Sequence, residues 1–184
     1  MERRDALKLT ATVLGGSIIG GQFFLSGCAS PPKKIYETIT DADIPLLDEI
    51  GETILPETEE SPGAKAAHIG AFMQTMVNDC YTNEEALIFI DGLQKINKKS
   101  METLGQAFTE LSEENRSGLL TRFDVEAKKY KSLDKPHFFT MLKELTIWGY
   151  FTSEVGATEA LRYNPVPGRF EGCIPYNGES AWIL

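Results

Sequence analysis

The chain has 184 residues, of which 42% are hydrophobic and 24% charged, and its formal net charge is -9. This length fits one domain with a single hydrophobic core. An acidic chain of this kind is attracted neither to nucleic acid nor, through its overall charge, to an anionic membrane surface. We therefore expect no nucleic-acid partner.

The first 28 residues have the pattern of an export signal that ends in a lipidation site. Arg3 and Arg4 precede an uncharged run, which is followed by Leu-Ser-Gly-Cys28. The run has about 16 residues, fewer than the roughly 20 that a membrane-spanning helix needs. Residues 1–27 are therefore predicted to be a twin-arginine lipoprotein signal peptide, with Cys28 lipidated and first in the mature protein. For the arginine pair, the general secretory route is the alternative.

This leader predicts that the mature chain lies on the periplasmic side of a membrane, anchored through the lipid on Cys28. The twin-arginine route carries proteins that are already folded, commonly because a cofactor was inserted in the cytoplasm. The sequence has no glycine-rich phosphate loop, no GxGxxG fingerprint and no CxxCH haem motif. We therefore predict no cofactor in this chain and expect it in a partner without a leader of its own.

Helical signals dominate the mature chain. Residues 28–39 contain Pro-Pro-Lys-Lys and are predicted to be a short tether. The third helix is expected to break at residues 97–100, and the last helix is expected to be the longest. The predicted helix starts are Thr40, Ala64, the capping box at Thr82, Ser112 and Lys135.

Apolar residues recur at helical spacing in these segments, and no stretch alternates with period two for long enough to need a sheet. The predicted fold is all-α, a compact array of about five or six helices with an extended C-terminal arm. The domain covers residues 40–184, and the arm is residues 162–184. No internal repeat is visible, which disfavours a helical solenoid.

The last helix and the arm carry more large apolar residues than one core face requires. Such residues surround the helix nearly completely, so it is the central core helix, or it also contacts another protein. The arm is rich in aromatic residues and arginine, which anchor interfaces. The predicted partner-binding residues are Trp148, Tyr150, Phe151, Arg162, Tyr163, Pro165, Pro167, Arg169 and Phe170.

Two cysteines remain besides Cys28. Cys80 ends an apolar helical stretch, where a buried free thiol is the simplest interpretation, and Cys173 lies in the arm. In an oxidising compartment the two can pair with each other or with another chain. The sequence does not choose between these pairings, and Cys173 is the better candidate for a disulfide to another subunit.

Candidate catalytic residues are few. The two histidines, His68 and His137, are far apart in the sequence and have no carboxylate or cysteine at metal-ligand spacing, so no metal site is predicted. Glu144 and Glu154 flank the aromatic stretch of the last helix and are the candidate acid/base pair. Ordinary surface charges are the simpler interpretation of both.

Several segments of the mature domain share the pattern of one known family. They are Glu52–Pro56, Pro62–Ala64, His137–Phe139, Leu142–Thr146, Gly149–Gly156, Leu161–Tyr163, Pro165–Phe170 and Gly172–Cys173. The set covers most of the mature domain and resembles the gluconate 2-dehydrogenase subunit 3 family.

The resemblance implies a small, non-catalytic subunit that associates with a large FAD-dependent flavoprotein of the glucose-methanol-choline family. That partner would oxidise a sugar or polyol, often with a c-type cytochrome as electron acceptor. In the family the small subunit typically carries the twin-arginine leader and helps its partner to mature and to cross the membrane. The lipobox at Cys28 departs from many members and implies that the complex is also lipid-anchored.

Two other functions stay open from the sequence. A stand-alone lipoprotein enzyme acting on sugars or oxidised sugars would bring His137, Glu144 or Glu154 together in one cleft. A structural lipoprotein without a redox link would pack its arm wholly on its own domain.

Overall fold

The computed structural model describes residues 5, 38–131, 135–166, 168–169, 173 and 175–183. The chain divides into two compact units, residues 1–34 and 35–184, and the helical domain is the second. Five of the predicted site residues lie outside the described residues: Arg3, Arg4, Cys28, Pro167 and Phe170.

Five α-helices make up most of the described part of the domain. They are α1 (Ile44–Ile54), α2 (Ile69–Cys80), α3 (Asn83–Leu104), α4 (Glu113–Lys129) and α5 (Phe138–Thr152). Short 3₁₀ turns precede α1, α2 and α4, and one turn of π-helix, Gly156–Ala160, follows α5. The all-α prediction is confirmed, and none of the described helices is long and apolar enough to cross a membrane.

The arm folds back on itself. It contains strand β1 (Arg162–Tyr163) and strand β2 (Trp182–Ile183), which are the two strands of the described part of the chain. They pair in parallel, with Arg162 opposite Trp182. The end of the arm therefore returns to the place where the arm leaves the domain.

The predicted starts of α3 and α4 are confirmed by their caps. The Thr82 hydroxyl accepts a hydrogen bond from the Glu85 N–H, and the Glu85 carboxylate accepts one from the Thr82 N–H. The Thr82 hydroxyl also donates to the Glu85 carboxylate over 2.7 Å, and this bond, followed by the one from the Thr82 N–H, holds the pKa of Glu85 below its usual value. Ser112 caps α4 by accepting from the N–H of Asn115. Each cap satisfies an N–H that the first helical turn leaves without a partner.

The break predicted at residues 97–100 is wrong, because α3 continues to Leu104 and is itself the longest helix, with 22 residues against 15 for α5. The polar side chains of this stretch have partners beyond the helix. Ser100 donates to the carbonyl of the sixth residue after it, and Asn97 accepts from a backbone N–H of the turn that follows. The helix ends instead at Gly105, whose φ is 72°.

The helix predicted from Ala64 begins five residues later, at Ile69. Residues 64–67 form a 3₁₀ turn, and His68 has a left-handed backbone with φ 52°, which separates that turn from α2. The first turn of α2 is completed by Asp48 of α1, whose carboxylate accepts a 2.8 Å hydrogen bond from the Gly70 N–H. A carboxylate at this position is also favoured by the helix dipole.

Helix α5 is the central core helix. It packs against each of the other four α-helices, and eight of its 15 residues are buried. The largest fully buried side chains around it include Phe89, Phe108, Ile69 and Ile96. One hydrophobic core therefore serves the whole described domain.

One burial prediction is wrong. Cys80 is exposed rather than buried, since it lies at the last position of α2. Ile39, the last residue of the predicted tether, is only 5% exposed. Both its N–H and its carbonyl bind the side-chain amide of Asn78, which fixes the entry of the chain into the domain.

Gly92 allows α3 to approach α5 closely. A Cβ at this position would lie 2.3 Å from Cδ2 of Phe138. Gly92→Ala is therefore expected to lower the free energy of unfolding by about 1–3 kcal/mol, measured by urea denaturation of the mature domain.

The matched control is Gly118→Ala in α4, where a Cβ would meet nothing within 4 Å. This substitution should raise the free energy of unfolding by about 0.5–1 kcal/mol, because alanine is the better helix former. Equal effects of the two substitutions would contradict the close packing of α3 on α5.

Candidate functional site

Segments that are far apart in the sequence meet at the C-terminal end of α5. The backbone N–H of Ala64 donates to the carbonyl of Leu55, and the Tyr150 hydroxyl donates to the carbonyl of Pro62. The N–H of Leu161 donates to the carbonyl of Gly156, which closes the π-turn. Four of the segments that carry the family resemblance thus contribute to one region of the surface.

Glu52 holds the loop between α1 and α2 in place. One of its carboxylate oxygens accepts a 2.9 Å hydrogen bond from the Glu57 N–H, and the other accepts a 2.8 Å bond from the Lys65 N–H. The loop passes so close that a Cβ at Gly63 would lie 2.1 Å from the Glu52 carboxylate. Because Gly63 has no side chain, it leaves the space that the Glu52 carboxylate occupies, and this contact joins the two upstream segments of the family resemblance.

Glu49, one turn before Glu52, connects α1 to two other elements. Its side chain is only 19% exposed, and its two carboxylate oxygens bind Lys65 and Arg116. Glu49 and Arg116 are both partly buried, which reduces screening by water and makes their pair stronger than an exposed one, whereas Lys65 is 45% exposed and its pair is weaker. They fix the 3₁₀ turn before α2 and the start of α4 relative to α1.

An apolar groove of about 430 Å³ opens beside these contacts. Its walls are the loop at residues 55–62, the end of α5 with Tyr150 and Phe151, and residues 160–161. Ser180 and Ala181 form a further wall; they belong to the tail, which we define as residues 175–183. We call this feature the motif groove.

A row of partly exposed aromatic side chains leads to the motif groove. Trp148 on α5 is 53% exposed, and its ring stands edge-on to that of Phe72 on α2, with 5.8 Å between the ring centroids. Phe151, three residues after Trp148 and therefore its neighbour on the helix surface, lines the groove. We call Phe72, Trp148 and Phe151 the aromatic stripe. An exposed tryptophan beside a concave apolar surface is typical of a protein-binding site.

Tyr150, which was predicted to bind a partner, is a buried part of the groove and is not exposed like Trp148. It is 3% exposed, and its hydroxyl is bound to the Pro62 carbonyl. The helical spacing explains the difference, because Tyr150 lies on the face of α5 that also carries the buried Phe139 and Thr146. Its ring supports the floor of the groove instead.

The remaining predicted residues lie along the arm. Arg162 is partly buried, and Tyr163 is 52% exposed on β1. Pro165, Arg169 and Cys173 are exposed. Cys80 and Cys173 are both free thiols in the described chain, so the structure does not pair them with each other.

The residues of the alternative catalytic hypothesis are not brought together. His137 lines a cavity between α3 and the start of α5, whereas Glu144 lines another between α4 and α5. Glu154 follows the far end of α5, about 22 Å along the helix axis from its start.

Tyr81, between α2 and α3, has a shifted pKa. Burial and the negative charges of Glu85 and Glu144 raise the pKa of Tyr81 to about 12.

His137 has a structural role. Its side chain is 7% exposed, and its Nδ1 accepts from the Phe139 N–H, so it caps α5. Its Nε2 lies 3.6 Å from Glu126, which also binds Lys95. The hydrogen bond from Lys95 is the main reason why the pKa of Glu126 is lowered. Among the described residues no three His, Cys, Asp or Glu side chains are grouped closely enough to hold a metal ion.

Sequence reasoning missed two parts of this site. Glu52 was recognised only as part of a familiar segment, and the spacing of Glu52 and Gly63 gave no sign of their contact. Trp182 was overlooked, although a tryptophan after a polar stretch is a signal that sequence reasoning could have used.

Glu52→Gln tests the role of the carboxylate. Glutamine retains one acceptor oxygen and turns an NH₂ group towards the second N–H, so the free energy of unfolding should fall by about 1–3 kcal/mol. Hydrogen exchange should also become faster at the amides of Glu57 and Lys65. Glu59→Gln, at an exposed position of the same loop, is the control and should change stability by less than about 0.5 kcal/mol. Unchanged exchange in Glu52→Gln would contradict the proposed clamp.

Comparison with known proteins identifies the family. A family model described as gluconate 2-dehydrogenase subunit 3 matches residues 41–168, more than two thirds of the chain. No curated protein and no solved structure shows significant similarity to it. The matched residues include every wall of the motif groove except the tail. The resemblance seen in the sequence is confirmed, and the chain belongs to the gluconate 2-dehydrogenase subunit 3 family.

Proposed function

We propose that this chain is the non-catalytic accessory subunit of a periplasmic, FAD-dependent sugar or polyol dehydrogenase. Its catalytic subunit would be a flavoprotein of the glucose-methanol-choline family, with a c-type cytochrome as a further component. The observation that carries the proposal is the family match over residues 41–168, since this family is that of an accessory subunit of a dehydrogenase complex.

The leader supports a role in export. A twin-arginine signal serves proteins that fold before transport, and the sequence of this chain carries none of the common nucleotide or haem fingerprints. The cofactor-bearing cargo is then the catalytic subunit, which loads FAD in the cytoplasm and crosses the membrane bound to this chain. Lipidation of Cys28 attaches the exported complex to the membrane.

The aromatic stripe is the surface that suits the catalytic subunit best. Trp148 is a large, rigid side chain that is half-exposed, and Phe72 supports its ring from one side. Residues of this kind contribute most of the binding energy when a partner covers them and excludes water. The stripe continues into the motif groove through Phe151, so one partner can cover both.

The export role predicts that the two subunits are exported together or not at all. Arg3→Lys combined with Arg4→Lys should leave both this chain and the flavoprotein in the cytoplasm, because the pair is the recognition signal. Cell fractionation with assays of dehydrogenase activity measures this. Activity that persists outside the cytoplasm would contradict transport of the flavoprotein by this chain.

Cys28→Ala is the control for that experiment. The signal is retained, so the complex should still be exported, but it should be found in the soluble periplasmic fraction with its activity intact. A complex that stays on the membrane although its leader has been cleaved would mean that another subunit provides the anchor.

The docking surface predicts the outcome of affinity purification from native membranes. The wild-type chain should bring down a protein with the yellow absorption spectrum of a flavin. Trp148→Ala should weaken the complex by about 2 kcal/mol, or roughly thirtyfold in the dissociation constant.

Met101→Ala is the matched control, because Met101 is 52% exposed, at the far end of α3, and should leave binding unchanged. A wild-type chain recovered alone and colourless would contradict the proposed function. That result would favour a stand-alone lipoprotein enzyme or a structural lipoprotein.

A further inference from the structure

The tail occupies the edge of β1. The N–H of Arg162 donates to the carbonyl of Ala181 over 2.9 Å, and the N–H of Asn164 donates to the carbonyl of Ile183 over 3.0 Å. The edge of β1 adjoins the motif groove at Ala181, which accepts the first of these bonds and is also one of the groove walls. The isolated chain therefore satisfies the donors of β1 with its own last residues.

Arg162 is the main side-chain attachment of the tail. Its guanidinium lies 3.2 Å from the Glu179 carboxylate and 3.9 Å from the centre of the Trp182 ring. Both contacts are partly open to water, with side chains about 40% exposed in the ion pair. Contacts of this kind each contribute about 1 kcal/mol or less.

The rest of the tail is held weakly. Tyr176 is 80% exposed and Trp182 is 52% exposed, and the β1–β2 ladder is only two residues long. A two-stranded pairing of this length is not stable by itself in water. The tail is also the one wall of the motif groove that lies outside the residues matched by the family model.

We infer that β1 and the motif groove form a binding site for an extended segment of the catalytic subunit, and that the tail occupies this site until the complex assembles. The inference rests on the proposed function, which supplies the partner. On assembly the partner's segment replaces β2, accepts the hydrogen bonds of Arg162 and Asn164, and places apolar side chains in the groove.

The chemistry of the occupant follows from the contacts that the tail now makes. Main-chain donors spaced along a strand require an extended backbone with its carbonyls turned towards them, which is recognition by strand addition. The Arg162 guanidinium requires an aromatic ring or a carboxylate in that segment, as Trp182 and Glu179 now provide. Apolar groove walls require apolar side chains at alternate positions.

The first test measures whether loosening the tail strengthens or weakens binding of the catalytic subunit. Glu179→Ala and Trp182→Ala each remove one side-chain contact of the tail and leave β1 and the groove walls outside the tail unchanged. If the tail covers the site in about nine molecules of ten, removing one contact of about 1 kcal/mol tightens the apparent dissociation constant up to about fourfold, and complete release would tighten it about tenfold. The measurement is biolayer interferometry of the mature chain with the catalytic subunit that copurifies with the wild type.

Tyr176→Ala, on the exposed part of the same tail, is the matched control and should leave the dissociation constant unchanged. Weaker binding by Glu179→Ala and Trp182→Ala would show that the tail is itself part of the docking surface, and unchanged binding would show that it does not compete; either overturns the inference. A dimer of the loosened variants in sedimentation analysis would assign the site to a second copy, which also overturns it.

The second test fixes the tail in place. Tyr163 and Ile183 are opposite each other in the β1–β2 register, where the spacing of paired strands suits a disulfide. Tyr163→Cys with Ile183→Cys, in a chain that also carries Cys80→Ser and Cys173→Ser, should bind the catalytic subunit only after reduction. The reduced form of the same variant is the control, because it has identical side chains. Equal binding by the oxidised and reduced forms would overturn the inference.

The outcomes separate this inference from the proposed function. A complex that forms equally well with the tail fixed or free is compatible with the accessory-subunit role. It contradicts only the proposal that a segment of the partner replaces β2. A wild-type chain that binds no flavoprotein contradicts the proposed function, and the inference fails with it.

Discussion

The burial of α5 is the constraint on which the rest of the described domain depends. Eight of its 15 residues are buried, and the four other described α-helices pack against it. Among the described helices none contributes as many large side chains to the core, and each Å² of apolar surface that is buried stabilises the fold by about 25 cal/mol. Even its buried hydroxyl is satisfied, because Thr146 donates to the carbonyl of Leu142 one turn earlier.

Packing on all sides of α5 leaves only a narrow outer surface, and its two ends differ in character. The N-terminal end is charged: His137 caps the helix, and Glu126 and Lys95 form an ion pair beside it. The C-terminal end is apolar and is met by the loop after α1, by the π-turn and by the tail. The same helix therefore serves as the core of the fold and as the base of its candidate binding site.

Contacts of carboxylate side chains position the elements around α5, in addition to the hydrophobic core. Glu49 and Glu52 fasten the loop and the start of α4 to α1. Asp124 on α4 binds Lys143 on α5 and Lys128 on its own helix, and the hydrogen bonds from Lys128 and then Lys143 lower its pKa. A carboxyl whose pKa is lowered on folding adds stability above its unfolded pKa, and this contribution is lost as the pH falls through the lower folded value. The charges thus select one arrangement of helices that hydrophobic burial alone would specify less sharply.

The sequence by itself determined the helical class, the caps at Thr82 and Ser112 and the family, because all three are properties of residues close together in the chain or of patterns repeated along it. It also indicated that the last helix is buried on more than one face. It did not determine where α3 ends, since the partners of Asn97 and Ser100 lie in the turn beyond.

The tertiary structure alone decided which aromatic residues face outwards. Tyr150 and Trp148 look alike as sequence signals, but the packing of neighbouring helices buries one and leaves the other half-exposed. It alone also joined Glu52 to Gly63 and brought β2 back to β1, because contacts between residues far apart in the chain depend on how the helices pack and leave no periodic pattern in the sequence.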